Sequence, residues 1–170
     1  KVWRDRYPIT KSKYFKQKKN NNPYVFMKKL SDKTGKKDVL IPDASANLIW
    51  AMQALEPRGQ KIFTALNHSP MGYSMPATIG AYYANKKSKS NLICLTGEGG
   101  FQMNIQELAT IMHNKIPIKI FIFNNGGYLT IKQTQILGFK GRIMGADNSS
   151  GLSFPDYSQI ARSHKIDYQK

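Results

Sequence analysis

The segment that most constrains the fold of this chain covers residues 97–128. An apolar run at 91–96 meets Gly97-Glu98-Gly99-Gly100. A helical stretch at 102–113 follows, with Ile105, Leu108, Ala109 and Met112 at the i, i+3, i+4, i+7 spacing of one helix face. Pro117 then introduces a second apolar run at 118–123, which ends in Asn124-Asn125-Gly126-Gly127-Tyr128. Two short apolar strands joined by a helix close most simply as a parallel pair with a crossover. Both strand ends then lie on one edge of the sheet, the edge at which open α/β sheets bind ligands.

That edge carries one carboxylate, Glu98, and one side-chain amide, Asn125, 27 residues further on. Mg²⁺ takes octahedral oxygen ligands and draws only one or two from protein carboxylates, leaving the rest to phosphates and water. Glu98 and Asn125 can each supply one oxygen. The carbonyl of Gly127 can supply a third, because glycine lets the backbone bend toward an ion. The N–H groups of Gly99 and Gly100 sit just before the expected helix, where an anion is favoured. A carboxylate, an amide and free N–H groups together suit Mg²⁺ and a diphosphate. A dinucleotide fingerprint would need a third glycine where Gln102 stands, and a P-loop would need Gly-Lys-Ser/Thr, which is missing. Either half alone is also readable as an ordinary turn. Their spacing across one strand–helix–strand unit is what makes them a candidate site.

The rest of the chain repeats the alternation. Asn22-Pro23 opens a helix with proline in its first turn, which runs into the polar turn at 33–37. A buried strand at 39–41, a turn at 42–45 and a helix at 46–55 follow, with Leu48, Ile49, Met52 and Leu55 as the apolar face. A strand at 61–64, a loop at 67–72, a helix at 76–84 and a basic turn at 86–89 lead back to the strand at 91–96. A loop with room for a short helix spans 126–150, and Ser153-Phe154-Pro155-Asp156 starts a last helix through Tyr157, Ile160 and Ala161. Strands alternating with helices imply an α/β fold, a three-layer sandwich in which a mainly parallel sheet is covered by helices on both faces.

The net charge is +16, and residues 1–40 hold thirteen Lys or Arg against three Asp, a net +10. This concentration has two readings: a solvated linker, or a basic α/β module that binds nucleic acid or polyphosphate. The stretch has no recognisable nucleic-acid motif, and the linker reading is preferred. Residues 1–22 are therefore expected to be a linker from a preceding domain and 23–170 the binding domain. The chain opens on Lys1, which points to a piece of a longer enzyme. No apolar run approaches the roughly 18–20 residues that span a membrane, so no membrane partner is expected. A single buried cysteine, Cys94, suits the cytoplasm.

The segment 97–128 resembles the diphosphate-binding domain of thiamine-diphosphate-dependent enzymes, whose signature is Gly-Asp-Gly followed, after a helix, by Asn-Asn. The stretch Gly-Glu-Gly-Gly-Phe-Gln-Met-Asn-Ile-Gln-Glu-Leu-Ala-Thr at 97–110 is similar to the acetolactate synthase branch, which includes related 2-oxo-acid decarboxylases and carboligases. The likeness covers about residues 39–170. It includes Met71-Gly72-Tyr73-Ser74-Met75-Pro76-Ala77-Thr78-Ile79-Gly80-Ala81 and the helix start Phe154-Pro155-Asp156.

The resemblance implies a set of roles. Glu98 and Asn125 would bind Mg²⁺ by side chain and Gly127 by its carbonyl. Gly97, Gly99 and Gly100 would hold the diphosphate of thiamine diphosphate, met from the other side by Ala44, Ser45, Ala46 and Asn47. Met71 would be the wedge that bends the cofactor, the Ser69 carbonyl and Met71 N–H would bind its pyrimidine edge, and Tyr128 would flank the site. It also implies a small 2-oxo-acid substrate and a homodimer or homotetramer. A pyrimidine-binding domain from another subunit would supply the activating glutamate, so the chain alone would be inactive. The chain departs from the family pattern at three places. Glu98 stands for aspartate, Asn67-His68-Ser69-Pro70 for a glycine-rich stretch, and Ala46-Asn47 for Gln-His. Together these departures point to a relative with another substrate or acceptor. His68 is the candidate for proton transfer or substrate binding, with a plain surface role as the alternative.

Overall fold

The computed structural model describes residues 2–86 and 90–170. Two short helices, α1 (Val2–Arg6) and α2 (Ser12–Phe15), occupy the basic N-terminal stretch. Trp3 stacks on Tyr7 and Tyr14 leans on Tyr24, so this stretch has local structure of its own. Helix α3 (Pro23–Lys33) begins as expected: Asn22 caps it, accepting the N–H groups of Tyr24 and Val25, and Pro23 fills a position whose N–H is not needed.

The sheet has four parallel strands, β1 (Val39–Pro42), β2 (Lys61–Ile62), β3 (Leu92–Gly97) and β4 (Ile118–Phe123), in the order β2-β1-β3-β4. Register runs Val39↔Leu92 to Pro42↔Leu95 and Leu92↔Ile118 to Gly97↔Phe123. The central strands β1 and β3 are buried on both faces, which is why they read as unbroken apolar runs. Side chains alternate. Leu40, Ile93, Leu95, Phe121 and Phe123 meet α3 and α4 (Ala46–Ala54) on one face. On the other, Val39, Ile41, Leu92, Cys94 and Ile120 meet α5 (Ser74–Ala84), α6 (Glu98–Met103), α7 (Glu107–His113) and α9 (Tyr157–Ser163). This is the expected three-layer α/β sandwich.

Three local expectations change. The single helix at 102–113 is two. It starts at Glu98, four residues early, and breaks at Asn104, whose side chain donates to the Gly72 carbonyl. The restart shifts the helical phase, so Leu108 and Ile111 are buried while Ala109 and Met112 are exposed. In α4 the small residues Ala51 and Ala54 face the sheet, leaving Ile49 at 48% and Met52 at 65% exposure. The expected strand at 61–64 pairs only over Lys61–Ile62 at an exposed edge. The 126–150 stretch contains a ten-residue helix, α8 (Leu129–Gly138), and a 3-10 turn at Asn148–Ser150. Of the basic turn at 86–89, residues 87–89 lie outside the described residues. No helix of the described residues is long and apolar enough to cross a membrane.

Candidate functional site

The carboxyl ends of β1, β3 and β4 open into one cavity of about 310 Å³. Every residue expected to hold cofactor or metal lines it: Ala44, Ser45, Ala46 and Asn47 after β1, Ser69 and Met71 before α5, Gly97, Glu98, Gly99 and Gly100 after β3, and Asn125, Gly127 and Tyr128 after β4. His68 does not. It lies beside a separate depression formed by Thr64, Ala65, Leu66 and Asn67, so the structure does not bring the expected proton-transfer residue into the cavity.

Glu98 occupies the first turn of α6 and is 1% exposed. Its Oε1 accepts the backbone N–H groups of Asn125 and Gly127, each at 2.9 Å. Oε2 accepts from none of the described residues. One oxygen thus fixes the side chain to the β4 loop, and the other is available. Gly127 is itself held by a β-bridge to Asp147, and a Cβ on it would strike the Ala146 carbonyl. The Tyr128 N–H donates to that same carbonyl at 2.8 Å. Asp147 accepts from Lys132, whose ammonium, together with Ser149 and Ser150, holds the carboxyl well below the usual carboxylate range. The β4 loop is therefore braced from behind.

Gly99 and Gly100 are glycines because of what surrounds them. A Cβ on Gly99 would strike the Tyr128 ring and the Met71 methyl, and one on Gly100 would strike the Asp43 carboxylate and Thr96. Ser45 caps α4 with φ at +73°, a conformation costly for a residue with a side chain, and its hydroxyl bonds Thr130 at 2.6 Å. Asn47 donates to the Ala44 carbonyl at 3.2 Å.

Asp43 was missing from the sequence-derived site. It is 1% exposed and lines the cavity. The signal was present: like Glu98, it is a carboxylate directly after an apolar strand on the ligand-binding edge. Leu129, Thr130 and Ile131 also line the cavity, and nothing in their sequence marks them. Tyr157 lies behind α6, its ring against Phe101 and its buried hydroxyl without a partner among the described residues. Burial raises its pKa, and the negative charge of Glu98 adds to the effect.

The lining contains two buried carboxylates, Asp43 and Glu98, and no Lys, Arg or His. Among the described residues no cluster of three His, Cys, Asp or Glu forms a metal cage. The donor set fits a cation that shares its shell with ligand oxygens and water. Together these features define an α/β domain with a ligand cavity at the carboxyl edge of a parallel sheet. The chain belongs to the family described as thiamine pyrophosphate enzyme, C-terminal TPP binding domain, which matches residues 43–169. It is similar to the acetolactate synthase large subunit of Cyanidium caldarium, at 37% identity over 124 residues that cover 73% of this chain and 20% of that protein. The probable acetolactate synthase large subunit of Methanococcus aeolicus is 35% identical over 132 residues, 77% of this chain and 21% of that protein. Acetolactate synthase isozyme 2 large subunit of Escherichia coli (strain K12) is 29% identical over 143 residues, 84% of this chain and 25% of that protein. The chain spans about a fifth to a quarter of these curated relatives.

Proposed function

We propose that this chain is the diphosphate- and Mg²⁺-binding domain of an acetolactate-synthase-like enzyme, which decarboxylates a 2-oxo acid and ligates the remaining fragment to an acceptor. The observation that carries this reading is the charge of the cavity. A diphosphate facing two buried carboxylates and no basic side chain is repelled unless a divalent cation lies between them. Glu98, through its free oxygen, Asn125, through its side-chain carbonyl, and Gly127, through its backbone carbonyl, would hold that cation. The backbone of Gly97, Gly99 and Gly100 and the Ala44, Ser45, Ala46 and Asn47 turn would hold the diphosphate. Ser69 and Met71 would receive the pyrimidine end, with Tyr128 against Gly99. Thiamine diphosphate, when bound, supplies the electron sink for loss of carbon dioxide from a 2-oxo acid.

The remaining wall would come from a pyrimidine-binding domain of another subunit, in a homodimer or homotetramer in the cytoplasm, and the 170-residue chain alone would be inactive. What supports a covering partner is the open side of the cavity. Leu129 and Ile131 line it while remaining 40% and 46% exposed, and α8 has no buried residue. Residues 1–22 would connect the domain to a preceding one.

The test is calorimetric titration with thiamine diphosphate, with and without Mg²⁺, beside Glu98→Ala and a short DNA duplex. Mg²⁺-dependent binding that is lost in Glu98→Ala is expected. Binding of thiamine diphosphate that ignores Mg²⁺, or salt-sensitive binding of DNA alone, would overturn the reading.

A further inference from the structure

We propose that Asp43 is a positioning residue that sets the distance between the diphosphate-binding and pyrimidine-binding parts of the cavity. The proposal rests on the reading of the cavity as a thiamine diphosphate site. Asp43 ends β1, and its carboxylate reaches three separate segments. Oδ1 accepts the Ala44 N–H at 2.8 Å, at the start of the turn that runs through Ser45 to Asn47. Both oxygens accept the Gly72 N–H at 3.1 Å. Oδ2 accepts the Thr96 hydroxyl at 2.8 Å, from β3 just before Gly97. Gly100 packs so closely on the same carboxylate that no Cβ fits between them.

Gly72 is the pivot of this arrangement. It sits at φ +87°, with its N–H on Asp43 and its carbonyl accepting from Asn104 Nδ2 at 2.8 Å. A Cβ there would press on Asn104 and Met103. Ser69 and Met71, the cavity residues of this loop, are therefore referenced through Gly72 to Asp43 on one side and to the end of α6 on the other. No lysine, arginine or histidine neutralises Asp43 from the cavity lining. A buried carboxylate without a cationic partner is costly. It is retained here where three donors, the N–H groups of Ala44 and Gly72 and the Thr96 hydroxyl, are received by one rigid group.

Asparagine at 43 keeps the size but has one acceptor oxygen instead of two. Its amide nitrogen can donate to Thr96, which can reverse its hydroxyl. The Ala44 N–H, on the adjacent residue and closer at 2.8 Å, keeps the one oxygen, and the Gly72 N–H at 3.1 Å gives way. The Gly72 loop loosens, while the Gly97–Gly100 and Glu98 side of the cavity stays in place.

The experiment compares thiamine diphosphate with inorganic diphosphate, both with Mg²⁺, by calorimetry on the full-length protein. Asp43→Asn is expected to weaken thiamine diphosphate at least tenfold and inorganic diphosphate less than twofold. Asn104→Ala, which frees Gly72 from its other side, is expected to shift the ratio in the same direction, and it carries the test if Asp43→Asn does not fold. Thr96→Val removes a bond to Asp43 without touching Gly72, and should lower thermal stability while leaving the ratio unchanged. Equal weakening of both ligands by Asp43→Asn and Asn104→Ala, or no weakening of thiamine diphosphate by either, would overturn the proposal. A native protein that binds neither ligand would instead remove the thiamine diphosphate reading, and this proposal with it.

Discussion

Glu98 and Gly127, 29 residues apart in the chain, are joined by a 2.9 Å hydrogen bond from the Gly127 amide to Glu98 Oε1. The Asn125 amide reaches the same oxygen. Removing the carboxylate in Glu98→Ala leaves both N–H groups without their acceptor at the heart of the β4 loop. The Gly127 donor is buried, and an orphaned buried donor costs about 1–3 kcal/mol. The Asn125 N–H is only partly buried and can turn to water, so Glu98→Ala is expected to lose about 1–3 kcal/mol in urea unfolding. Glu98→Gln keeps a carbonyl oxygen for the two amides and should lose less than about 1 kcal/mol. It removes the charge, so its thiamine diphosphate binding should no longer respond to Mg²⁺. A Glu98→Gln protein as unstable as Glu98→Ala would show that the amides do not depend on this acceptor.

Gly99 and Gly100 are adjacent, yet their alanine variants should fail differently. The Gly100 Cβ meets the buried Asp43 carboxylate and Thr96, which are fixed by their own hydrogen bonds. Gly100→Ala is expected to destabilise by about 1–3 kcal/mol, the usual cost of overpacking. The Gly99 Cβ meets the side chains of Tyr128 and Met71, which can swing into the cavity. Alanine within a helix also recovers about 0.5–1 kcal/mol over glycine. Gly99→Ala should therefore unfold near the native midpoint while binding thiamine diphosphate at least tenfold more weakly. Denaturation curves and titrations on the two variants separate these outcomes.

The sheet was legible because burial on both faces forces unbroken apolar strands, and β1 and β3 are such runs. The cavity of the candidate site was legible because both halves of its motif end strands on one edge. The phase of α7 was not. The periodicity at 105–112 assumes a continuous helix, and the break is made by a long-range bond from Asn104 to Gly72 that spacing cannot reveal. The position of Asp43 after an apolar strand was visible, but its partners were not, for a related reason. In sequence it is one polar residue of a turn, and only the fold brings Gly72 and Thr96 to it. Cavity residues Thr130 and Ile131 belong to a helix held by polar contacts rather than by a buried face, so no apolar period announces it.

His68 lies outside the cavity. Its replacement by alanine should leave the affinity for thiamine diphosphate within twofold of native, measured by the same titration. A tenfold loss would bring the His68 side chain itself to the proposed cofactor site, beside Ser69 and Met71.

Cys94 is fully buried in β3 beside Ser74. Burial is the main influence on its thiol and pushes the pKa up to about 12. The thiol is therefore neutral and shielded at neutral pH. A thiol reagent at pH 8 should leave the native protein unlabelled and should label one equivalent in urea. A folded-state pKa above the unfolded one also means that stability is complete below the ordinary thiol range and falls as pH rises through it toward 12. Cys94→Ala should flatten that part of the alkaline decline. Rapid labelling of the native protein would show that β3 opens locally.

Lys132 and Asp147 close the back of the β4 loop, with Nζ at 2.5 Å from Oδ2. Lys132 lies on α8, and Asp147 belongs to the segment bridged to Gly127. The pair thus ties the cavity helix to the glycine whose amide holds Glu98. The hydrogen bond from Lys132 is the largest influence on Asp147, followed by those from Ser149 and Ser150, and together they lower its pKa. A carboxylate with a depressed folded pKa contributes stability in full above its ordinary pKa. That contribution is lost as pH falls from there toward the folded value. Docking of the 139–150 segment should therefore be insensitive to pH near neutrality and weaken only below about pH 4. Proton titration followed by NMR at the Asp147 side chain should place its midpoint below the ordinary carboxylate range. Lys132→Met should return the midpoint toward that range and raise amide exchange at Gly127 and Tyr128. An Asp147 midpoint unmoved by Lys132→Met would assign the depression to Ser149 and Ser150 alone and uncouple α8 from the brace behind Glu98.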